Sequence, residues 1–315
     1  MRGPVLVGDV GGSNARFALS DGPGLLRDVR SFKAAEHASF RDAVVGYLAG
    51  VSDTRAAKDC RAALIAAAGP VEEQRVQLTN SPWHIDSTEL QEAGSFGKVR
   101  LFNDLEAVAL ALPHLSANAV QRIGPPIAEP LAGNPIAINV GTGFGAASAV
   151  QLPGGGWTAL ATEAGHISYA ARSQAESELL GAAQSIEDFL SGAGVVRLHE
   201  MLRKRVEAAA VAEQPLDAAT VFELCEADAS YAETLSVFSD LLARVAGDLV
   251  LAHGAWGGVF FCGSVVKGWS GRSDAQRFRE VFESKGKMSS RMRRVQTNII
   301  LAAEPALSGL TYVEL

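Results

Sequence analysis

The stretch Leu6-Val-Gly-Asp-Val-Gly-Gly-Ser-Asn-Ala-Arg-Phe-Ala-Leu19 decides how the rest of the chain is interpreted. Its apolar run, from Val5 to Val10, is too short for a helix and predicts a strand. Gly11 and Gly12 allow positive φ, and the apolar pattern restarts after them. The stretch therefore predicts a strand, a tight turn and a returning strand.

Asp9 is the unusual residue of this stretch, because a carboxylate inside an apolar strand loses solvation unless it is hydrogen-bonded, paired or facing a metal. The small residues of the turn, Gly11, Gly12 and Ser13, would let backbone N–H groups approach a phosphate. Asp9 could then face the magnesium ion that accompanies a nucleotide. An ordinary Gly-Gly hairpin with a turn-capping Asp is the alternative.

Length and composition indicate a protein of two α/β domains with a cleft between them. The chain has 315 residues, 48% of them hydrophobic, which exceeds the usual size of one domain. Its net charge of -7 argues against a nucleic-acid surface. The basic stretch from Lys285 to Arg294 is expected to be a solvated face. The N-terminus leaves no room for a signal peptide or a DNA-binding arm.

Two further features indicate a cytosolic protein that does not span a membrane. Cys60, Cys225 and Cys262 form no Cys-x-x-Cys pair and are expected to be reduced thiols. The apolar region from Leu235 to Val266 is interrupted by charged residues too often for a membrane span. It predicts a buried helix followed by a strand.

Asn103 and Asp104 lie between a predicted strand, Val99 to Phe102, and a predicted helix, Leu105 to Leu112. One of them could simply cap the helix. Because ligands of open α/β sheets bind beyond the carboxyl ends of strands, the pair could instead face a substrate. The polar loop from Gln77 to Ile85, which contains Asn80, could bind a sugar or be a surface turn.

The first hairpin has a counterpart later in the chain. A proline-rich segment from Asn118 to Pro135 is interpreted as a linker near the domain boundary. After it, Ile136 to Val150 repeats the apolar strand, the glycine corner and the return strand, and Val140-Gly-Thr-Gly143 matches Val10-Gly-Gly-Ser13. This suggests a duplicated unit whose two corners hold one phosphate chain from both sides.

The second half of the chain offers polar residues for a hydroxylated ligand. Glu163 and His166 flank a glycine and could be metal ligands, but hydrogen bonds to a polyol suit them better. Glu187 could cap a helix or face the cleft. Gly263, in a corner after a predicted strand, would let a flat adenine or ribose approach the backbone. The remaining histidines without evident partners, His37, His114, His199 and His253, are interpreted as structural.

Together these motifs resemble the bacterial glucokinase family, a branch of the hexokinase, actin and Hsp70 superfamily. The similarity covers nearly the whole chain, and it depends on the order and spacing of motifs that are each weak alone. The matching motifs are Gly8-Asp-Val-Gly-Gly-Ser13, Thr79-Asn-Ser-Pro-Trp83, Phe102-Asn-Asp104, Gly141-Thr-Gly143, Glu163-Ala-Gly-His166, Glu187-Asp-Phe-Leu-Ser-Gly192 and Gly257-Gly-Val-Phe-Phe-Cys-Gly263.

The resemblance implies a two-domain, actin-like sugar kinase fold of the duplicated ribonuclease H type with a central cleft. The small domain would span residues 1–115, with a C-terminal helix at about 302–315 packed back on it, and the large domain 116–301. The implied reaction is transfer of a phosphoryl group from ATP, with Mg²⁺, to the 6-hydroxyl of glucose. A cytoplasmic homodimer without nucleic-acid or membrane partners is also implied.

Carried over position by position, the resemblance makes Asp104 the general base and places Asp9 near the magnesium. The sugar would be bound by six residues: Asn80, Asn103, Asp104, Glu163, His166 and Glu187. The nucleotide would be bound by nine residues: Gly8, Asp9, Val10, Gly11, Gly12, Ser13, Thr142, Gly143 and Gly263.

Three positions depart from the family pattern, and none of them removes a reacting group. Ser13 replaces a Thr and keeps its hydroxyl, Ala164 replaces a Gly after the sugar-binding Glu, and Ser264 replaces a Gly in the nucleotide corner. The related ROK family usually carries a cysteine-rich zinc motif, which this chain lacks after His166. A kinase for another hexose or amino sugar and a silent sugar-binding regulator are the alternatives.

Overall fold

The computed structural model describes residues 3–78, 83–94, 96–181, 183–206 and 216–315. The strands, in chain order, are β1 (Val5–Val10), β2 (Asn14–Gly22), β3 (Leu25–Lys33), β4 (Ala62–Ala67), β5 (Arg75–Gln77), β6 (His84–Asp86), β7 (Lys98–Asn103), β8 (Val120–Arg122), β9 (Pro135–Val140), β10 (Phe144–Gln151), β11 (Trp157–Thr162), β12 (Gly258–Cys262) and β13 (Thr297–Ile300). The helices are α1 (Phe40–Gly50), α2 (Thr54–Asp59), α3 (Ser87–Gly94), α4 (Asp104–Ala111), α5 (Gln174–Leu180), α6 (Gly192–Val206), α7 (Ala218–Glu223), α8 (Ala229–His253), α9 (Ser264–Ser270), α10 (Ala275–Glu283), α11 (Ser289–Met292) and α12 (Pro305–Leu310).

The chain divides into two compact units, each with its own core. The first unit comprises residues 1–115, 152–161 and 302–315, and the second comprises 116–151 and 162–301. The first unit therefore includes two segments from later in the chain, and the second of these segments carries α12.

The two larger sheets of the described residues have related topologies. One has the order β3-β2-β1-β4-β7, and the other has the order β11-β10-β9-β12-β13-β8. In both, an antiparallel hairpin (β1 with β2, β9 with β10) is followed by a strand parallel to its first member (β4 or β12). A further parallel strand then follows, β7 in one sheet and β13 in the other. The recurring order confirms the duplicated unit that the two glycine hairpins predict.

The central strands of the first sheet are apolar because parallel strands covered on both faces have little access to water. β4 reads Ala-Ala-Leu-Ile-Ala-Ala and is buried along nearly its whole length. Gly8 of β1 faces Ile65 of β4 and Phe17 of β2, and a Cβ atom there would lie 2.8 Å from Ile65 Cδ1. Close packing of the sheet therefore accounts for the glycine at this position.

The second unit is built around α8, which begins at the N-cap Asp228 and ends at Gly254 in the left-handed conformation. Phe238, Leu242 and Val250 of this helix are fully buried in the core of the unit. β12 follows α8, so the expected buried helix and strand between Leu235 and Val266 are confirmed. No helix in the described part of the chain is long and apolar enough to cross a membrane.

Three local expectations differ in part from the structure. The predicted linker, Asn118 to Pro135, contains β8, which pairs with the distant strand β13. The ends of the predicted loop from Gln77 to Ile85 belong to the paired strands β5 and β6. Lys285, expected on a solvated face, has only 4% of its side chain exposed and donates to Asp248 Oδ1 at 2.6 Å.

The last helix of the first unit packs against the helix that begins at Asp104. Gly309 of α12 lies so close to Ala107 of α4 that a Cβ atom would overlap the Ala107 carbonyl group. Backbone cannot move aside as a flexible side chain can, so this contact requires glycine.

We expect Gly309→Ala to lower the free energy of unfolding by roughly 2–3 kcal/mol, because overpacking forces α12 away from α4. Chemical denaturation of the purified variant measures this loss. Gly271→Ala is the matched control, since no atom lies within 4 Å of a Cβ there and its φ of -79° suits alanine. Equal stability of the two variants would contradict the packing argument.

Candidate active site

Asp104 is the first residue of α4 and directly follows β7, and a capping box fixes its position. The Leu105 N–H donates to Asn103 Oδ1 at 3.0 Å, while the Asn103 N–H donates to Glu106 Oε2 at 3.0 Å. Asn103 Nδ2 donates to the Gly69 carbonyl oxygen at 3.1 Å. Asn103 therefore caps the helix, as one of the two sequence interpretations expects, and thereby orients Asp104.

Asp9 and Asp104 interact electrostatically in the first unit. β1, β4 and β7 are parallel, so their carboxyl ends lie at one edge of the sheet. Burial raises the pKa of Asp104, although the Leu105 N–H, which also donates to Asp104 Oδ1 at 2.8 Å, opposes this. Burial, and then the charge of Asp104, raise the pKa of Asp9 to about 6. Two poorly solvated carboxylates thus create an excess of negative charge at this edge.

Arg16 partly balances this charge. Neither Arg16 nor Glu304 is among the site residues predicted from the sequence. Arg16 is the register partner of Asp9 across the hairpin, and its Nη1 lies 3.8 Å from Asp9 Oδ2. Its Nε lies 3.4 Å from Glu304 Oε1, at the start of α12. The alternation of the hairpin could have identified Arg16, but no local signal links it to Glu304.

The first glycine corner is closed by a hydrogen bond from the Gly11 N–H to the Asn14 carbonyl oxygen at 2.9 Å. Neither Gly11 nor Gly12 has a positive φ, so the turn does not need the left-handed backbone conformation that glycine allows. A Cβ at Gly11 would meet only the Asn14 oxygen, at 3.7 Å. Ser13 is exposed, whereas Val10 is buried in the core. The corner is therefore open to a ligand at Gly11.

The second glycine corner repeats this geometry. The Gly141 N–H donates to the Gly143 carbonyl oxygen at 2.9 Å, and Thr142 is exposed between them. A Cβ at Gly141 would meet only ordinary contacts of 3.7–3.8 Å. Gly263 has a φ of +105°, and a Cβ there would crowd Asn139 Oδ1 at 2.6 Å. Both the backbone conformation and the packing therefore require a glycine at Gly263.

A cavity of about 470 Å³ opens beside the second corner, within the size range of small-molecule sites. Of the residues singled out from the sequence, four line it: Gly141, Thr142, Gly192 and Ser264. The other lining residues are not among those predicted from the sequence: Ala193, Val196, Leu216, Asp217, Ala218, Ala219, Val265 and Gly268. Small residues at the starts of α6, α7 and α9 were the available signal.

Glu163, His166 and Glu187 come together in the second unit. Glu163 Oε2 and His166 Nε2 are 4.0 Å apart, and both side chains are largely exposed. The Glu187 N–H donates to the Gly165 carbonyl oxygen at 2.9 Å, and Glu187 Oε2 accepts from the Phe144 N–H at 2.8 Å. This edge therefore presents two carboxylates and an imidazole beside the second corner.

A Cβ at Gly143 would lie 2.5 Å from Glu187 Oε2. The glycine of the corner therefore makes room for the carboxylate. Asn80, the remaining expected sugar ligand, lies outside the described residues. In the described ranges, no group of three or more His, Cys, Asp or Glu side chains could hold a metal ion.

The other histidines and the cysteines have structural settings. The interpretation of the four histidines as lacking partners is wrong, because each has one: Thr234 for His199, Ser148 for His253, Tyr312 for His114 and Phe32 for His37. These partners are distant in sequence, apart from Phe32, and could not be read from spacing. Cys60, Cys225 and Cys262 form no disulfide in the described part of the chain.

Comparison with known proteins identifies the family. A family model described as Glucokinase matches residues 6–314. A glucokinase of Chromobacterium violaceum is 37% identical, with 98% of this chain and 88% of that protein covered. The crystal structure of a glucokinase from an Antarctic psychrotroph has a TM-score of 0.85 at 32% identity, covering 98% of both chains. A ROK family glucokinase from Streptomyces griseus, solved with glucose and AMPPNP, shares the fold at 19% identity, with a TM-score of 0.62 and coverage of 98% and 97%.

The duplicated sheets and these structural matches define a two-domain, actin-like sugar kinase fold. The chain belongs to the glucokinase family. It is accordingly a hexose kinase that phosphorylates glucose.

The raised pKa of Asp9 predicts that this residue destabilises the ligand-free protein at neutral pH. The fold holds the Asp9 proton more tightly than the unfolded chain does, so its contribution to stability falls as pH rises from about 4 to about 6. We expect Asp9→Asn to raise the free energy of unfolding by roughly 1–2 kcal/mol at pH 7.5. Denaturation in metal-free buffer measures the change.

The same comparison near pH 3.5 is the internal control for Asp9→Asn. There the carboxyl group is protonated in both the folded and the unfolded chain, and the advantage of the amide should vanish. A variant that is less stable than the parent protein at pH 7.5 would show that the ion pair with Arg16 outweighs the cost of burial.

Proposed function

We propose that this chain transfers the γ-phosphoryl group of ATP to the 6-hydroxyl of glucose, with Asp104 as the general base. The observation that carries the proposal is the position of Asp104 at the capped start of α4, where burial raises its pKa. A raised pKa makes a carboxylate a stronger base.

The proposed reaction needs one proton transfer and one phosphoryl transfer. The glucose oxygen forms a bond to the γ-phosphorus as Asp104 accepts its proton, and the bond from that phosphorus to the bridging oxygen of ADP breaks. ADP leaves with the electron pair of that bond. The capping box contributes by holding the Asp104 backbone in one place, since positioning accounts for much of the catalysis of such transfers.

The two glycine corners are proposed to bind the phosphates. Neither backbone conformation nor packing demands glycine at Gly11 or Gly141. A side chain at either position would keep a phosphate away from the corner, which supports the proposal. The exposed hydroxyls of Ser13 and Thr142 occupy equivalent places in the two corners and can donate to phosphate oxygens. The cavity beside Thr142 and Ser264 has the volume for a nucleoside.

Asp9 suits a ligand that brings a cation with it. Its carboxylate carries an unfavourable charge beside Asp104, and Arg16 approaches only to 3.8 Å. A magnesium ion bound to the nucleotide would neutralise developing charge on the phosphates when present. Asp9 would hold that ion indirectly, through its hydration shell.

The sugar hydroxyls are proposed to be bound by Glu163, His166 and Glu187, together with the second amide proton of Asn103. Carboxylates accept two hydroxyl protons each, and a neutral imidazole both donates and accepts. The exposure of Glu163 and His166 leaves their polar atoms available to a ligand. Asn80 is kept as a further candidate on the family resemblance alone.

We also propose that the protein acts in the cytoplasm as a homodimer. Three cysteines without a disulfide in the described residues suit a reducing compartment. The homodimer depends on the family resemblance alone.

Release of ADP from ATP and Mg²⁺ with a panel of hexoses tests the proposal. Asp104→Ala should lower kcat with glucose by about 10²- to 10⁴-fold, because the hydroxyl proton then has no base to accept it. Calorimetry should still detect glucose binding by this variant. Asp53→Ala, which removes the side-chain cap of α2 in the same unit, is the control and should leave kcat unchanged.

Two outcomes would contradict the proposal. Turnover by Asp104→Ala close to that of the parent protein would exclude Asp104 as the base. Absence of stimulation by any hexose, with sugar binding intact, would favour the silent regulator. Faster turnover with another hexose or an amino sugar would instead correct the substrate.

A further inference from the structure

The second unit contains a buried ion pair that the proposed chemistry does not use. Arg244 of α8 has 9% of its side chain exposed, and its partner Glu176 of α5 has 16%. The Arg244 guanidinium donates from Nη1 to Glu176 Oε2 at 3.0 Å and from Nη2 to Glu176 Oε1. Such a bidentate pair fixes the direction of both side chains. Because its desolvation cost offsets much of its attraction, stability alone explains it poorly.

Glu176 also binds the segment that precedes α5. The Tyr169 hydroxyl donates to Glu176 Oε1 at 3.0 Å, and the Arg172 backbone N–H donates to Glu176 Oε2 at 2.5 Å. The Arg244 guanidinium lies 5.1 Å from the centre of the Tyr169 ring, at cation–π distance. The ring of Tyr169 is therefore held at its hydroxyl by Glu176 and on its face by Arg244.

Burial and hydrogen bonding act in opposite directions on the Glu176 carboxyl. Burial raises its pKa. The hydrogen bonds from Arg244, Arg172 and Tyr169 together lower the pKa by more than burial raises it, so the pKa lies below the ordinary value. Glu176 is thus a carboxylate that accepts from all three neighbours at neutral pH.

Tyr169 connects this pair to the proposed sugar ligands. It stands three residues after His166, and its ring packs edge-on against Phe189, with 4.8 Å between ring centres. Phe189 stands two residues after Glu187. Backbone hydrogen bonds join the two segments, from Ile186 N–H to the Ile167 oxygen at 3.0 Å and from Glu187 N–H to the Gly165 oxygen at 2.9 Å.

The other side of the pair is anchored in the core. Lys285, which has 4% of its side chain exposed, donates to the Arg244 carbonyl oxygen at 2.8 Å and to Asp248 of α8. Arg244 is therefore fixed to a buried helix, and a chain of direct contacts runs from α8 through Glu176 and Tyr169 to the segments carrying His166 and Glu187.

We propose that Tyr169, Glu176 and Arg244 are positioning residues that hold His166 and Glu187 in the geometry that binds the sugar. This inference rests on the proposed function, which makes His166 and Glu187 sugar ligands. The three positioning residues act by fixing the backbone from which the ligands project.

Steady-state kinetics of Tyr169→Phe and Glu176→Gln test the proposal. Tyr169→Phe removes one hydroxyl and keeps the ring, so it preserves the packing against Phe189. We expect the KM for glucose to rise about fivefold or more in both variants, since small displacements of binding groups are costly. The kcat and the KM for ATP should stay within about twofold.

A double variant and a matched control sharpen the test. If the Tyr169 hydroxyl acts through Glu176, the double variant should have the same KM for glucose as Glu176→Gln alone. Asp240→Asn breaks another ion pair of α8, with Arg277 at 2.8 Å, which lies at the exposed surface. It should leave the KM for glucose unchanged.

Three results would overturn the proposal: an unchanged KM for glucose in both variants, equal increases in KM for glucose and ATP, or the same increase in Asp240→Asn. Glu187→Gln, measured in parallel, separates this failure from failure of the proposed function. If it raises the KM for glucose and Tyr169→Phe does not, only the positioning inference fails. If neither does, the assignment of the sugar ligands fails and this inference fails with it.

Discussion

The first unit depends on keeping two carboxylates, Asp9 and Asp104, close together in a poorly solvated place. The parallel register of β1, β4 and β7 brings their strand ends to one edge, and the Asn103 cap fixes where α4 begins. The unfavourable charge is tolerated because Arg16 offsets part of it. A ligand that carries positive charge would relieve this excess of negative charge, which agrees with the phosphoryl transfer proposed for these residues.

The second unit differs from the first, because its polar groups are exposed and yet held in a fixed arrangement. Glu163 and His166 are exposed, so packing around the side chains themselves does little to orient them. The order comes instead from the backbone, through the bonds between Gly165 and Glu187 and the packing of Tyr169 on Phe189. On the proposed roles of Tyr169, Glu176 and Arg244, polar recognition at the surface would depend on an ion pair inside the unit.

Local signals made the elements, and several of the site residues, predictable from sequence. The hairpins follow from short apolar runs around Gly corners, and the start of α4 follows from Asn103 beside an apolar helical pattern. What could not be predicted depends on pairs distant in the chain, such as Arg16 with Glu304 or Lys285 with Asp248. Charge and composition describe Lys285 as a surface residue, because a sequence pattern does not reveal the acceptors on α8 that the fold brings to it.

The contact between Gly309 and Ala107 has a consequence for how the chain reaches its final structure. The first unit is completed by residues 302–315, which are synthesised after the whole of the second unit. The helix that begins at Asp104 can therefore pack against α12 only after nearly 200 further residues have been synthesised. Closing so long a loop is slow relative to local folding. During synthesis, the second unit can complete its core while the unit that carries Asp104 is still open on one side.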